Sequence, residues 1–561
     1  MTEPIPVIWL SLHDGVDSRG PWDTRVLEAL FDGSLWPHGL TFEHHVGIGT
    51  YPTINHMGAE STKHGPAIVV IPARHHCSPD DIVAINGTLA AWTSVLLILV
   101  GDEEGQFPWR DIVHDSIRFW VQMPDPNHYA DMAGFGFFFG NGWGAATPEL
   151  IDDGWPENDA KDIMWSFSGQ VTHPRRKQAA NGLQKARSRV YGRLRPTKGF
   201  AQGMPAEQYA AELAHTWVAP CPSGPESPDC FRVYEALEAG CIPIVDAETP
   251  HGPTSYWDFV YGWVPFPRII DWDTVGGVIE SCLADRHRLA AACSAWWQGQ
   301  KSKMVQRLLD DLGELGVPMP EQPKAQALVV TSPVASNPDL TMIRDTIASV
   351  EDSIGEVDIL IACDGVRPEQ QDRTPAYDEF LYRLTCWTRC KPNVLPYIVH
   401  QWWHQACLAR LALDCVTAPT LLFMEHDTPL VTDEPIDWPE IIDLVANSHM
   451  DIVRFHHESH VLPVHEYLMV DHQTKTMLGV PLRRTRQWSQ RPHLANADYY
   501  RRILRANFPW TARTMIEDKM HSVVQSEPGH RLAIYHPEGN IKRSYHLDGR
   551  GDDPKFDMEF E

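Results

Sequence analysis

The stretch P-C-P-S-G-P-E-S-P-D-C-F-R-V-Y-E-A-L-E-A-G-C-I-P-I-V, Pro220 to Val245, decides the reading of the first half of the chain. It predicts a turn-rich loop, a helix capped by Ser227 with Pro228 at its first position, Gly240 as terminator, and a buried strand over Cys241 to Val245. A loop, helix and strand in that order concentrate polar chemistry at the start of the helix. Unpaired N–H groups and a partial positive charge there suit a diphosphate. Arg232 and Glu235, three residues apart, share one face of the helix. In that arrangement Arg232 pairs with a phosphate and Glu235 accepts from ribose hydroxyls; the structural alternative is an amphipathic helix with a surface Arg/Glu pair.

The same residues carry a family resemblance. Arg232, Glu235, Gly240, Cys241, Ile242 and Pro243 resemble the nucleotide-sugar-binding segment of exostosin-like glycosyltransferases, where a Pro-rich loop leads to an Arg-x-x-Glu helix and a Gly-Cys-Ile-Pro turn. The resemblance implies the C-terminal lobe of a GT-B fold with its helix facing the donor. Such enzymes open that lobe with a strand, a glycine turn and a basic helix. Ile163 to Gln170, with Gly169 at its end, and then His173 to Lys177 fit this order. Glycine lets the backbone approach a phosphate, and Arg175 and Arg176 can neutralise it. Nine basic and no acidic residues lie from Val171 to Phe200, which a solvated basic helix also explains.

Composition sets the limits. The 561 residues suffice for three or four compact lobes, and 43% hydrophobic with 22% charged residues is the balance of a soluble globular protein. No apolar run is long enough to span a bilayer and no secretory signal is evident, so a cytosolic protein is expected; because eukaryotic exostosins usually carry a membrane anchor, the resemblance then implies a bacterial or viral setting. The eleven cysteines include no CxxC pair and are expected to be reduced and mostly buried. A formal net charge of −27 disfavours broad coating of nucleic acid, although the basic segments Arg175 to Lys198 and Arg483 to Arg491 could each contact DNA locally.

Taken in order, Pro6 to Leu12, Ala67 to Pro72 and Val95 to Val100 read as buried strands, with Ser78 to Asp81 capping a helix between the last two. Strands alternating with helices predict a doubly wound parallel sheet. His13, Asp14 and Glu104 lie just past strand ends, where α/β sheets place ligands, and are the base candidates of the first half. The glycine-rich Gly134 to Gly144 is expected to be a packed loop, and Gly316 to Gln326, rich in Pro and polar residues, a linker.

A second pattern follows the linker. Strands at Ala327 to Thr331 and Asp358 to Cys363, a helix at Trp402 to Ala418 and a strand at Thr420 to Met424 ending in Glu425-His426-Asp427 resemble the nucleotide-binding half of GT-A glycosyltransferases. That likeness implies a nucleotide contact for Asp364 and a divalent metal at Glu425 and Asp427, with Glu in place of the usual first Asp. Hard cations prefer such oxygen ligands, so Mn²⁺ or Mg²⁺ fits. Glu517-Asp518 resembles the acidic pair at the head of a helix in inverting GT-A enzymes. It implies Asp518 as base on the acceptor hydroxyl, with Glu517 as neighbour or substitute; helix-capping acids are the alternative. His546, as a late histidine, is a further metal ligand by the same likeness, and Arg550 a phosphate contact.

The fold class expected is α/β: a two-lobed GT-B part with two Rossmann-like lobes, residues 1–155 on the acceptor side and 156–315 on the donor side, a linker at 316–326, and a GT-A-like single Rossmann-like domain at 327–561. The expected function is transfer of sugars from nucleotide-sugar donors to hydroxyls of a glycan or protein, ahead of modified DNA. Two successive transfers, one active half beside an acceptor-positioning half, and a non-catalytic carbohydrate-binding protein rich in its 21 tryptophans all stay open.

Overall fold

The structure is a computed structural model, and it describes residues 3–10, 24–35, 38–47, 64–72, 77–153, 161–199, 203–249, 251–320, 323–458, 460–539 and 541–547. The candidates His13, Asp14 and Arg550 lie outside the described residues. The chain divides into two compact units, Met1–Pro320 and Glu321–Glu561.

The first unit holds two parallel sheets. The first is built from β1 (Ile5–Leu10), β2 (Phe42–Gly47), β3 (His64–Pro72), β4 (Trp92–Val100), β5 (Ile117–Gln122) and β6 (Gly136–Phe139), in the order β2-β1-β3-β4-β5-β6. Every pairing is parallel, so the strands lie between covering elements and read as near-continuous apolar runs. Val95 to Leu99 are all wholly buried. The helix Pro79–Leu89 opens with a capping box in which Ser78 and Asp81 satisfy each other's backbone N–H groups.

The second sheet follows with β7 (Ile163–Gln170), β8 (Arg193–Thr197), β9 (Thr216–Cys221) and β10 (Ile242–Asp246). A short ribbon of β11 (Glu248–Thr249) and β12 (Gly252–Pro253) precedes β13 (Arg268–Ile269). The sheet order is β13-β10-β9-β7-β8, again parallel. The chain runs outward from β7 to β8 and returns on the other side of β7 to form β9. That reversal creates a crevice at the carboxyl ends of β7 and β9, where open α/β sheets bind ligands. A 29-residue helix, Arg286–Glu314, closes the unit.

The second unit is one nine-stranded mixed sheet. Its strands are β14 (Ala325–Thr331), β15 (Ile359–Cys363), β16 (Val394–Ile398), β17 (Thr420–Glu425), β18 (Ile452–Arg454), β19 (Lys475–Met477), β20 (Val480–Thr485), β21 (His493–Asn496) and β22 (Leu532–Tyr535). The order is β16-β15-β14-β17-β21-β18-β22-β20-β19. The first four strands are parallel and reverse direction of travel between β14 and β17, which puts the switch point beside Glu425. β21 then joins β17 antiparallel. The fold is therefore α/β, with two parallel Rossmann-like sheets and one large mixed sheet.

Several local expectations are corrected. Ser227 does not cap the organising helix, which starts at Phe231 after Cys230 and spans Phe231–Glu238; the Ser227 hydroxyl instead accepts from Asp229 N at 3.1 Å. Gly134 to Gly144 is not all loop, because pairing with β5 draws Gly136–Phe139 into the first sheet. The basic segment Arg483 to Arg491 begins inside a strand, since Arg483 and Arg484 belong to β20. Gly240 does end the helix, at φ +61°, a conformation that favours glycine. None of the eleven cysteines forms a disulfide, and nine are buried. Among the described residues no helix is long and apolar enough to cross a membrane.

Candidate functional site

Each unit gathers predicted site residues at the carboxyl ends of its parallel strands. In the first unit β7 delivers Gly169, and the helix Pro174–Ala186 that follows delivers Arg175 and Arg176. Arg232 arrives from the Phe231–Glu238 helix, its guanidinium donating from Nε and Nη2 to the carbonyl of Ser168 at 3.2 and 3.0 Å. It also lies over the Phe167 ring, 4.9 Å from the centroid. Gly169 permits this: a Cβ there would stand 2.1 Å from Arg232 Nη2. Arg176 is only 8% exposed and donates from Nε to the carbonyl of Ser223 at 2.9 Å. Burial, then the charge of Arg232, pulls its pKa down to about 10. It stays cationic at neutral pH, so two guanidinium groups share this crevice, where an anion would relieve both.

The other predicted residues of this unit have internal partners. Arg175 pairs with Asp246 at the end of β10, and the same carboxylate accepts from Ser223 N at 2.7 Å and Trp272 Nε1 at 2.8 Å. Glu235, 3% exposed, accepts on Oε1 from the backbone N–H groups of Gly144 and Ala146, each at 3.1 Å, while burial raises its pKa. Asp229 was not singled out from sequence. It is buried and accepts from Asn141 N at 2.9 Å and from the hydroxyls of Tyr234 and Tyr256 at 2.9 and 2.6 Å. Burial outweighs those donors and pushes its pKa up to about 6. One Asp in a Pro-rich loop forms no pattern that could have marked it. Glu104 is exposed, and its carboxylate accepts from Gln106 Nε2 at 2.5 Å.

In the second unit a cavity of about 250 Å³ brings together residues from distant parts of the sequence. Its lining includes Glu425 at the end of β17, Glu517 from the first turn of the helix Ile516–Ser526, and His546, together with Arg454, His456 and Arg491. A side-chain amide fixes the two acids relative to each other. Gln405, in the helix His404–Ala412, donates to Glu425 Oε1 and accepts from Ile516 N at 3.1 Å. Glu517 Oε2 accepts from Gln490 N at 3.1 Å. Neither glutamine stood out in the sequence, since one polar residue in an alanine-rich helix, as Gln405 is, or between two strands, as Gln490 is, carries no spacing signal.

Asp518 sits differently. It is exposed, and its Oδ2 accepts from Met515 N at 3.3 Å and from the Thr514 hydroxyl at 2.9 Å, capping the helix. Asp427 is buried, and its backbone carbonyl accepts from Leu547 N at 2.9 Å, which ties the tail carrying His546 to the β17 turn. The His546 ring packs edge-on against His457, centroids 4.4 Å apart, and His457 Nδ1 lies 2.6 Å from the Ser544 hydroxyl. Asp364, buried past β15, accepts from the N–H groups of Gly365, Trp403 and His404 at 2.9, 2.8 and 2.8 Å. Burial raises its pKa against those three donors. Among the described residues no three His, Cys, Asp or Glu side chains are gathered closely enough to form a metal cage. Trp488 is core, and Arg483 and Arg484 pair with Glu466 and Asp471.

No protein-family model matches this chain, and no curated protein matches it. Solved structures similar to part of it include S. aureus TarS 1-349, at 12% identity over 40% of this chain and 61% of that one, with a TM-score of 0.27. S. aureus TarS itself is 13% identical over 40% of this chain and 36% of that chain, with a TM-score of 0.26. TarS 1-349 in complex with UDP-GlcNAc is 12% identical over 40% and 58%, at 0.25. The chain spans less than two thirds of the length of each of these structures.

Proposed function

We propose that the chain is a glycosyltransferase that uses nucleotide-sugar donors, with a GT-B-like, exostosin-like first unit and a GT-A-like second unit. The observation that carries this reading is the convergence of Glu425, Glu517 and His546 on one cavity at the switch point of the second sheet. These residues come from three separated stretches of chain. This reading puts Glu425, at the end of a parallel strand, on the donor side and Glu517, at a helix head, on the acceptor side.

In the proposed reaction Glu517 is the general base. Its carboxylate takes the proton of the acceptor hydroxyl, the hydroxyl oxygen bonds to the anomeric carbon, and the bond from that carbon to the diphosphate oxygen breaks, with inversion and release of the nucleoside diphosphate. The Gln490 N–H holds one oxygen of Glu517 and leaves the other for the proton. Gln405 fixes Glu425 against the head of the same helix, so donor-side and acceptor-side acids keep their spacing. Glu425, which lines the cavity, and Asp427, two residues on in the same turn, offer hard oxygen ligands of the kind Mn²⁺ or Mg²⁺ takes together with substrate phosphates. When bound, the ion would neutralise charge on the departing diphosphate.

For the first unit the reading assigns Arg232 and Arg176, with the close approach that Gly169 allows, to a donor diphosphate. Arg175 positions the crevice through Asp246, and Glu235 anchors the 144–146 loop. That internal use of Arg175 and Glu235 favours a second reading, in which the first unit positions the acceptor and the second unit catalyses. A glycan or protein acceptor fits the net charge of −27 better than DNA does.

The test is nucleotide release from a panel of nucleotide sugars, with Mn²⁺ or with EDTA, by wild type, E517Q, D427N and R232M. Loss of a metal-dependent release in D427N and of transfer in E517Q, with metal-independent release lost in R232M, supports two active units. Loss only in the second-unit variants supports the positioning reading. No turnover of any donor by the wild type overturns the assignment.

A further inference from the structure

We infer that the cavity of the second unit contains a subsite for an anionic group, a phosphate or carboxylate of the substrate, with Arg454 as its receptor. This rests on the proposed reading for the identity of the substrate and on geometry alone for the anion.

Arg454 ends β18 and is 4% exposed, yet it lines the cavity. Its Nη2 donates to Gln487 Oε1 at 3.2 Å, and its Nε has no hydrogen-bond partner among the described residues. No carboxylate among the described residues forms an ion pair with it. The nearby acids Glu458 and Glu517 attract it only from beyond ion-pair distance and make their hydrogen bonds to other groups. Glu458 takes both terminal nitrogens of Arg491, one at 2.7 Å, and lies 3.0 Å from His456 Nε2. Glu517 accepts from Gln490 N. Burial, then the charge of Arg491, lowers the pKa of Arg454 to about 10, which still leaves it cationic at neutral pH. A buried cation with one neutral hydrogen bond and an orphaned N–H destabilises the fold unless something completes it. A planar guanidinium opening on a polar cavity is complementary to a phosphate or carboxylate.

Two sources could supply the anion: the diphosphate of the donor, or an acidic group on the acceptor. The experiment uses the full chain and reads amide hydrogen exchange in peptides covering β18 and residues 487–491, which confines the signal to the second unit. The probes are sodium pyrophosphate for the donor linkage and glucose 6-phosphate and glucuronate for an acidic acceptor. The wild type should gain protection there of roughly tenfold at saturation, R454M should gain none, and R454K should gain a reduced amount. Without any anion, R454M should unfold at a higher temperature than the wild type, because the unpaired charge is gone; a merely structural arginine would give the opposite shift. Protection by pyrophosphate alone assigns the subsite to the donor, and protection by a sugar acid or sugar phosphate assigns it to the acceptor. If no probe protects the wild type, or R454M is protected equally, the inference fails. Donor turnover measured on the same samples reports separately on the glycosyltransferase reading.

Discussion

The amide of Gln405 donates to the carboxylate of Glu425 and accepts from the backbone N–H of Ile516, so one side chain couples the end of β17 to the head of the helix carrying Glu517. Replacing it with leucine keeps the volume and removes both bonds. The buried Ile516 N–H would lose its partner, a loss of about 1–3 kcal/mol. Glu425 would lose its fixed rotamer. Q405L is therefore expected to lower kcat by about tenfold or more with a smaller change in KM, while Q405E keeps the acceptor for Ile516 but sets a second carboxylate against Glu425. Steady-state kinetics and urea unfolding of both variants check this.

Gly169 and Gly182 separate binding from stability. A Cβ on Gly169 meets the end of the Arg232 side chain at 2.1 Å, and that guanidinium can swing away from Ser168 O. A Cβ on Gly182 meets the backbone carbonyl of Trp272 at 2.0 Å, which cannot move without shifting its segment. G169A should change stability by less than about 1 kcal/mol, whereas G182A should cost about 1–3 kcal/mol or more. G169A should nonetheless weaken pyrophosphate binding in the first unit, measured by hydrogen exchange over residues 163–177.

The pH dependence of stability has two opposing limbs. Burial raises Asp229 from 3.8 to about 6, so the folded chain holds its proton more tightly than the unfolded one. Its contribution is largest below pH 3.8 and is lost as pH rises through about 6; a shift of that size corresponds to about 3 kcal/mol. Burial lowers His456 and His493 to about 4, so the folded chain holds those protons less tightly, and stability is lost as pH falls from 6.5 toward 4. D229N should flatten the first limb in peptides of the first unit, and H493Q should shallow the second limb in peptides of the second. Hydrogen exchange between pH 4 and 7.5, corrected for intrinsic rates, resolves the two.

Most strands were legible because buried parallel strands read as continuous apolar runs, as at Val95 to Val100 and Thr420 to Met424. Errors arose where a tertiary contact overrode a local signal. Ser227-Pro228 has the form of a helix start, but Asp229 is drawn into the Tyr234, Tyr256 and Asn141 cluster and the helix waits until Phe231. Gly136–Phe139 has a loop's glycine content, yet β5 offers a ladder and four residues pair with it. Arg483 and Arg484 read as a basic surface until β20 sets them beside Glu466 and Asp471. The residues of the second-unit cavity were legible where acids clustered at element ends. Arg454 was not, because one arginine inside D-I-V-R-F-H-H has no spacing that foretells a buried, unpaired charge.

The acidic pair Glu517-Asp518 gives the sharpest contrast. Glu517 lines the cavity with one oxygen held by Gln490 N, while Asp518 faces solvent and caps its own helix through Met515 N. A general base contributes about 10²- to 10⁴-fold to rate, whereas a cap contributes about 0.5–2 kcal/mol to stability. E517Q should therefore lose at least about 100-fold in kcat with its unfolding midpoint nearly unchanged. D518N should keep kcat within about threefold of wild type and lose about 1 kcal/mol of stability. Because the two residues are adjacent, each variant controls for the other's effect on the fold. If D518N instead removes activity while E517Q retains it, Asp518 must leave its cap to reach the acceptor, and the base would pass to it.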